Sequence, residues 1–363
     1  MTADHWSVLL VVEQLRRRVP AGIGTYARGL IGGLTELQFE DAEGPAVELL
    51  ASRPSTSPDP LAAYGLPVRA SVLPGRLLTR LWDRGWRAPL SSVTHATLFA
   101  YPAVRGRLVV TVHDLAFRET PDAFPRRGRE WHERRLLHAI ANADRLVAPS
   151  RRTADALTAT GLPGSRIEVI PEGSDHLPPA DLDRADALLA ELGASPGFIL
   201  TVSTLEPRKN LRRLFAAYER LRDQRPGMPP MVVVGAEGWG EQVREVPDGV
   251  LAAGAPDDAT LAGLYARAGL FVYVPLVEGF GLPPVEAMRA GLPVVASTTV
   301  PSVGDAALTV DPADVEAISN AMQTLLANRQ AADEHREHGR QHVAHLTWTR
   351  AAAAHVDLWR ALT

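Results

Sequence analysis

Short apolar runs rich in Val, Leu and Ile alternate along the chain with stretches of helical period. Apolar runs of this length, bounded by polar or turn residues, read as strands buried on both faces. The helical stretches between them supply the crossovers that a parallel sheet needs. In the first half the runs predict strands at Ser7–Val12, Val47–Ala51, Thr94–Leu98, Leu108–Val112, Arg145–Ala148 and Ile167–Ile170. In the second half they predict strands at Phe198–Val202, Met231–Val234, Val250–Ala253, Leu270–Val274, Val294–Ala296 and Leu308–Val310. Six and six reads as α/β architecture in two doubly wound domains, an expectation that 363 residues fit. The Pro- and Asp-rich stretch PEGSDHLPPADLDRAD (171–186) separates them. The expected boundaries are 1–175, a linker at 176–194, and 195–345, with a last apolar helix in LTWTRAAAAHVDLWRAL. Open α/β sheets bind ligands at the carboxyl ends of their strands, so two such domains predict a central cleft.

Composition narrows the chemistry. With 46% hydrophobic and 22% charged residues the chain reads as globular. A formal net charge of −4 gives no electrostatic case for nucleic acid. The absence of cysteine excludes disulfides, thiolate catalysis and Cys-ligated zinc. At the N-terminus the apolar run after Asp4 closes at Glu13, too short for a signal peptide or a membrane span. These features are those expected of a soluble, cytoplasmic enzyme.

The charged residues contain one anomaly. Of 38 Lys plus Arg, Lys209 is the single lysine, in TVSTLEPRKNLRRLF. The pattern predicts a helix from Asn210, an N-cap type, with Leu211, Leu214, Phe215, Tyr218 and Leu221 on one face. Lys209 is thereby expected at a helix mouth, where free N–H groups and the dipole favour an anion and an ammonium adds a point charge for phosphate. A lysine in that position packs against little, so its loss is expected to leave folding intact.

A second anion-shaped feature follows the run GLFVYV: PLVEGFGLPPVEAMRAGLPVV. Gly279 and Gly281 let backbone N–H groups approach a ligand. Pro284 suits the first turn of a helix, and Gly291 its stop. Glu278 is expected in the loop and Glu286 in the first helical turn, seven residues intervening.

EGFGLPPVEAMRAGLPVV resembles the E-x7-E signature of retaining glycosyltransferases of the GT-B fold, family 4, and TLEPRKNL is similar to that family's diphosphate loop. The resemblance extends through VVVGAEGWG, GAPDDATLAGLYARAGLFVYVP and GDAALTVDPADVEAI. In the first half it takes in GIGTYARGL, VVTVHDLAF and ADRLVAPSRRTADAL. It implies a GT-B enzyme of two Rossmann-like domains, the C-terminal helix 346–363 crossing back onto the first. It further implies transfer of a hexose from a nucleotide sugar to a hydroxyl acceptor that is a small molecule, a glycan or lipid-linked. No metal or other cofactor is implied.

By the same resemblance Lys209, with Arg208, neutralises the leaving diphosphate, Glu286 binds the donor ribose, and Glu278 meets the sugar hydroxyls near the reacting carbon. The N–H groups beside Gly279, of Phe280, Gly281 and Leu282, lie alongside. His113 stands on the other side of the sugar, Gly22 lies in a loop facing the diphosphate, and Gly235 belongs to the donor-binding set. Loops like VHDLAF and EPRKN are shared with members that use GDP-mannose. Two departures stand out. Ser203 and Thr204 replace a Gly-Arg pair common in the family, so Arg208 or their hydroxyls must substitute for the arginine. STTVPSVGDAAL also lacks the Pro-Glu-Val that often precedes GDAA.

Other signals read more plainly. GIGTYA matches a weak dinucleotide fingerprint, but EQLRRRVPA separates it from the preceding strand. Asp257–Asp258 read as a helix cap rather than a metal site. His335, His338, His342 and His345 share a helical face whose spacing suits a metal, but their charged neighbours favour a solvated surface. Residues 74–90 alternate Arg with Leu and Trp, as a packed helix with snorkelling arginines does and as an interfacial helix touching a membrane does.

Overall fold

The computed structural model describes residues 6–17, 20–37, 44–55, 59–225, 227–236 and 246–363. Asp4 and the stretch from Glu237 of VVVGAEGWG lie outside them. The chain divides into two compact units. The first takes residues 1–118, 124–176 and 347–363, and the second takes 119–123 and 177–346.

The first unit carries β1 (Ser7–Val11), β2 (Ala46–Ala51), β3 (Val68–Ala70), β4 (Val93–Ala96), β5 (Arg107–Thr111), β6 (Arg145–Ala148) and β7 (Ile167–Val169). They form one parallel sheet ordered β3-β2-β1-β4-β5-β6-β7. The second carries β8 (Ile199–Val202), β9 (Met231–Val234), β10 (Val250–Ala252), β11 (Leu270–Tyr273), β12 (Val294–Ser297) and β13 (Leu308–Val310), ordered β10-β9-β8-β11-β12-β13 and also parallel. All twelve expected strands are present within a residue or two. The strand missed is β3, three residues at the sheet edge with two exposed, whose sequence VRA carries no apolar run.

The stretch expected as a linker, 176–194, carries regular structure. It contains a helix, Leu182–Leu192, capped by Asp181 and stopped by Gly193 at φ 71°. Ala185 and Leu189, four residues apart, are buried, and Gly263 of the Asp258–Arg267 helix packs against Ala185. The Asp and Pro content masked this apolar pair.

The first unit is completed by the Trp348–Arg360 helix, which lies on the Ala21–Glu36 helix. The contact is close: a Cβ at Gly29 would meet the Trp348 ring at 2.0 Å, and one at Gly33 the Trp348 carbonyl at 2.3 Å. Beneath it runs a buried polar chain. Tyr26 Oη bonds His355 Nε2 at 2.9 Å and Thr111 Oγ1 at 3.0 Å, and His95 Nε2 bonds Thr111 Oγ1 at 2.8 Å.

Burial holds His95 well below the ordinary histidine value and His355 at about 4. An unfolded histidine titrates near 6.5, so between about pH 6.5 and 4 the unfolded chain takes up protons that the folded chain refuses. Stability therefore falls as pH falls, by on the order of 3 kcal/mol for His355 alone. His113 opposes this, because its raised value adds stability at low pH that is lost as pH rises. The two lowered histidines outweigh it, so the melting temperature is expected to drop from pH 7 to 5. A flat or rising profile contradicts the assignment.

Candidate active site

In the second sheet the strand order reverses between β8 and β11, the switch point where open α/β sheets place ligands. The loops leaving these two strands carry Lys209 and Glu278. After β8 the chain passes Ser203 and Thr204, makes one 3-10 turn over Pro207–Lys209, and reaches Asn210 at φ 61°. The left-handed conformation, which Asn tolerates, redirects the chain into the Leu211–Gln224 helix. The expected side-chain cap is corrected: Asn210 Nδ2 instead donates to the carbonyls of Val274 (2.9 Å) and Pro312 (2.7 Å). The five expected apolar positions of this helix are all buried.

Lys209 is not at an open helix mouth. It is 9% exposed, and its Nζ donates to Tyr273 Oη and Glu278 Oε2, both at 2.6 Å. Tyr273 donates in turn to the same Glu278 oxygen at 2.6 Å. Arg208 pairs with Glu206 at 2.8 Å and stands 3.6 Å from Glu278 Oε1. Two cations and two carboxylates thus share one water-poor cluster. Burial works to raise the Glu278 carboxyl, but Lys209 and Arg208 outweigh it and hold it at about 2. Burial and the neighbouring Arg208 lower Lys209, and Glu278 only partly restores it. Both follow from one arrangement: Glu278 faces two cations, whereas Lys209 faces a cation as well as carboxylates.

The second loop reaches the Leu282–Arg289 helix through Gly281 at φ 99°, where a Cβ would meet Val300 at 2.5 Å. Ser302 fastens it, its N–H donating to Phe280 O and its Oγ to Gly281 O. Pro283 and Pro284 carry no N–H, so the donors of this helix start are confined to the Gly281–Leu282 side. Glu286 falls in the second helical turn, not the first as expected. It is 7% exposed and accepts from Tyr265 Oη at 2.7 Å. Gly291 ends the element at φ 81°. Gly235 backs onto the first loop, since a Cβ there would meet Ser203 O at 1.8 Å. Ser203 is buried with its Oγ unbonded, and Thr204 is half-buried.

The remaining two expected residues belong to the first unit. His113 lies two residues beyond β5, its Nε2 donating to Thr97 O at 2.9 Å and its Nδ1 3.6 Å from Glu172. Burial disfavours its charged form, but Glu172 and the Thr97 carbonyl outweigh it and raise the value. Gly22 lies in the first turn of the Ala21–Glu36 helix rather than in a loop, exposed, with nothing within 4 Å of an added Cβ. Sequence reasoning missed Tyr273, Tyr265, Glu206 and Glu172. Tyr273 is an ordinary inward-facing strand residue by pattern, and only its neighbours make it polar machinery.

The set-aside features separate cleanly. Asp257 caps its helix by accepting from Thr260 N at 2.8 Å. His335, His338 and His342 reach Ala306 O, Asp305 and Ser302 O respectively, and do not converge. Among the described residues no three His, Asp or Glu form a group that could hold a metal ion. Within residues 74–90 the Gly75–Trp82 helix buries Leu78 and Trp82, while Leu77, Trp86 and Leu90 are exposed. No helix among the described residues is long and apolar enough to cross a membrane.

Two family matches agree with the GT-B, family 4 resemblance. Residues 21–176 match Glycosyltransferase Family 4, and residues 196–328 match Glycosyl transferases group 1. The chain belongs to this family. It is 33% identical over 247 residues to O-antigen chain mannosyltransferase B of Escherichia coli, covering 64% of this chain and 65% of that protein. It is 30% identical over 310 residues to D-inositol 3-phosphate glycosyltransferase of Nocardia farcinica, covering 78% of this chain and 63% of that one. The chain thus spans somewhat under two thirds of these relatives, and 30% of the serotype-specific mannosyltransferase WbdA of E. coli. In fold it is similar to Anabaena Alr3699/HepE solved with UDP-glucose, with a TM-score of 0.75 at 19% identity over 99% of this chain and 100% of that one. Sucrose-phosphate synthase from Thermosynechococcus elongatus gives 0.72 at 20% identity over 98% and 99%.

Proposed function

We propose that this chain is a retaining hexosyltransferase that moves a hexose from a nucleotide sugar to a hydroxyl acceptor. The observation that carries the reading is the Lys209–Glu278–Arg208 cluster at the switch point of the second sheet. An incoming diphosphate competes with Glu278 for Lys209. Glu278 stays ionised and turns to accept from the sugar hydroxyls, while Glu286, held by Tyr265, accepts from the ribose. The N–H groups near Phe280, Gly281 and Leu282, the Ser203 hydroxyl and Thr204 complete the donor site. In the transfer the bond from the anomeric carbon to the diphosphate oxygen breaks, and the bond to the acceptor oxygen forms on the same face. The acceptor proton passes to the leaving phosphate, and the nucleoside diphosphate departs against Lys209.

Mannose from GDP-mannose is the donor we favour, because mannosyltransferases stand among the relatives and the VHDLAF and EPRKN loops agree. A thermal-shift comparison of GDP, UDP and TDP tests it: a ligand at about 100 times its dissociation constant adds about 2.7 kcal/mol. GDP is expected to shift the midpoint furthest, and an equal or larger shift with UDP or TDP overturns the base assignment.

Because protein cations carry the diphosphate charge, EDTA is expected to leave the initial rate nearly unchanged. A rate that collapses with EDTA and returns with Mg2+ or Mn2+ refutes the metal-independent reading.

A further inference from the structure

In the second unit the Arg329–Val343 helix fastens the Gly281 loop from outside the candidate site. His335, His338 and His342 lie on one face of this helix, and all three reach the segment 302–306. That segment belongs to STTVPSVGDAAL, where the chain departs from the family pattern. His342 makes the closest contact: its Nε2 stands 2.7 Å from Ser302 O, against 3.5 Å for each of the other two. A carbonyl only accepts, so Nε2 carries the proton and donates. Gly304, at φ 52°, leaves room for the ring, since a Cβ there would meet His342 Cε1 at 3.0 Å. The same helix grips the element that follows the loop. A Cβ at Gly339 would stand 3.1 Å from Met288 Cγ, and Arg289 Nη2 donates to Val343 O at 2.7 Å and Leu346 O at 2.9 Å.

Ser302 passes this fixing on to the loop. It is buried in the Pro301–Val303 turn, where its N–H donates to Phe280 O at 3.1 Å and its Oγ to Gly281 O at 2.7 Å. In a trans peptide the N–H of the next residue points opposite to the carbonyl. Two successive carbonyls drawn onto Ser302 therefore turn the N–H groups of Gly281 and Leu282 away from it. Neither of these N–H groups has a hydrogen-bond partner among the described residues. Their direction is thus set from behind, by a serine whose own carbonyl is held by His342.

We propose that His342 and Ser302 are positioning residues of the donor site: His342 fixes the Ser302 turn, and Ser302 aims the Gly281 and Leu282 N–H groups at the sugar-diphosphate end of the donor. Their own donors are spent on carbonyls, so they act through the loop and not on the ligand. The inference rests on the proposed function. The ribose end is served separately by Glu286, held by Tyr265, so loss of the brace is expected to show at one end of the donor only.

The test is calorimetric titration of the intact chain with GDP-mannose and with GMP, which keeps the base and ribose but lacks the sugar and second phosphate. His342→Leu and Ser302→Ala are each expected to weaken GDP-mannose at least about tenfold, the scale of one lost hydrogen bond to a charged group, and GMP less than about twofold. His342→Gln keeps a side-chain N–H donor and is expected to bind GDP-mannose like wild type. His342 is half-buried, so its replacement spares the core, and it decides the test if Ser302→Ala does not fold. The proposal is overturned if His342→Leu binds GDP-mannose like wild type, if GMP weakens as far as GDP-mannose, or if His342→Gln is as weak as His342→Leu. Hydrogen exchange of the ligand-free chain reads the brace by itself: across residues 277–289 it is expected to quicken in His342→Leu and not in His342→Gln. Unchanged exchange in His342→Leu overturns the brace. Quickened exchange in a chain whose wild type does not bind GDP-mannose overturns the donor reading instead and leaves the brace standing.

Discussion

Lys209→Ala is expected to lower turnover about 10²- to 10³-fold, the usual scale for removing one preorganised electrostatic donor. Its interaction strengthens as charge grows on the departing diphosphate, so the loss appears in kcat rather than only in donor affinity. The structure adds a cost that a helix-mouth lysine would not have. Removing Lys209 leaves Glu278 ionised in a buried site with Arg208 at 3.6 Å as its remaining cation. Breaking a buried pair in this way costs about 3–5 kcal/mol, so the melting temperature is expected to fall as well. Lys209→Arg is sharper. A planar guanidinium does not fit between Tyr273 and Glu278 at 2.6 Å from each, so activity should fall at least several-fold. Steady-state kinetics with thermal melts check both. Wild-type rates in Lys209→Arg reduce the lysine to a generic positive charge.

The two glutamates are expected to separate kinetically. Glu286→Ala removes a carboxylate that bonds the ribose in ground and transition states alike, so donor affinity drops while kcat holds. A lost hydrogen bond to a charged group is worth about 1.5–3 kcal/mol, roughly 10- to 100-fold in donor affinity. Glu278→Ala is expected to lower kcat at least 100-fold, because it takes the carboxylate from the sugar and leaves Lys209 and Arg208 repelling each other. In the free enzyme a carboxyl held at about 2 stays ionised throughout the working range, so no loss of kcat/KM near pH 5 arises from Glu278. If either variant keeps wild-type kcat and donor affinity, its role is wrong.

Most of the fold was legible because buried parallel strands have to be continuous apolar runs, and twelve of them were. β3 was not, since an exposed edge strand carries no such constraint. The Leu182–Leu192 helix hid behind Asp and Pro that serve as its cap and approach. In the site, Lys209 stood out by being alone, and Glu278 and Glu286 by bracketing glycines. What the sequence could not show is that these groups neutralise one another. The partners come from strands and helices distant in the chain: Tyr273 is 64 residues from Lys209, and Tyr265 is 21 from Glu286.

The most direct measurement is a time course of GDP-mannose consumption followed by NMR, with and without a panel of hydroxyl acceptors that includes sugar phosphates. Acceptor-dependent release of GDP, and a product whose anomeric configuration matches that of the donor, is the result expected. Donor consumed at the same rate without acceptor points to an epimerase or hydrolase, and an inverted product rules out retention. Donor that binds without being consumed under any acceptor makes the chain a nucleotide-sugar-binding partner of another transferase. Each of these three contradicts the account.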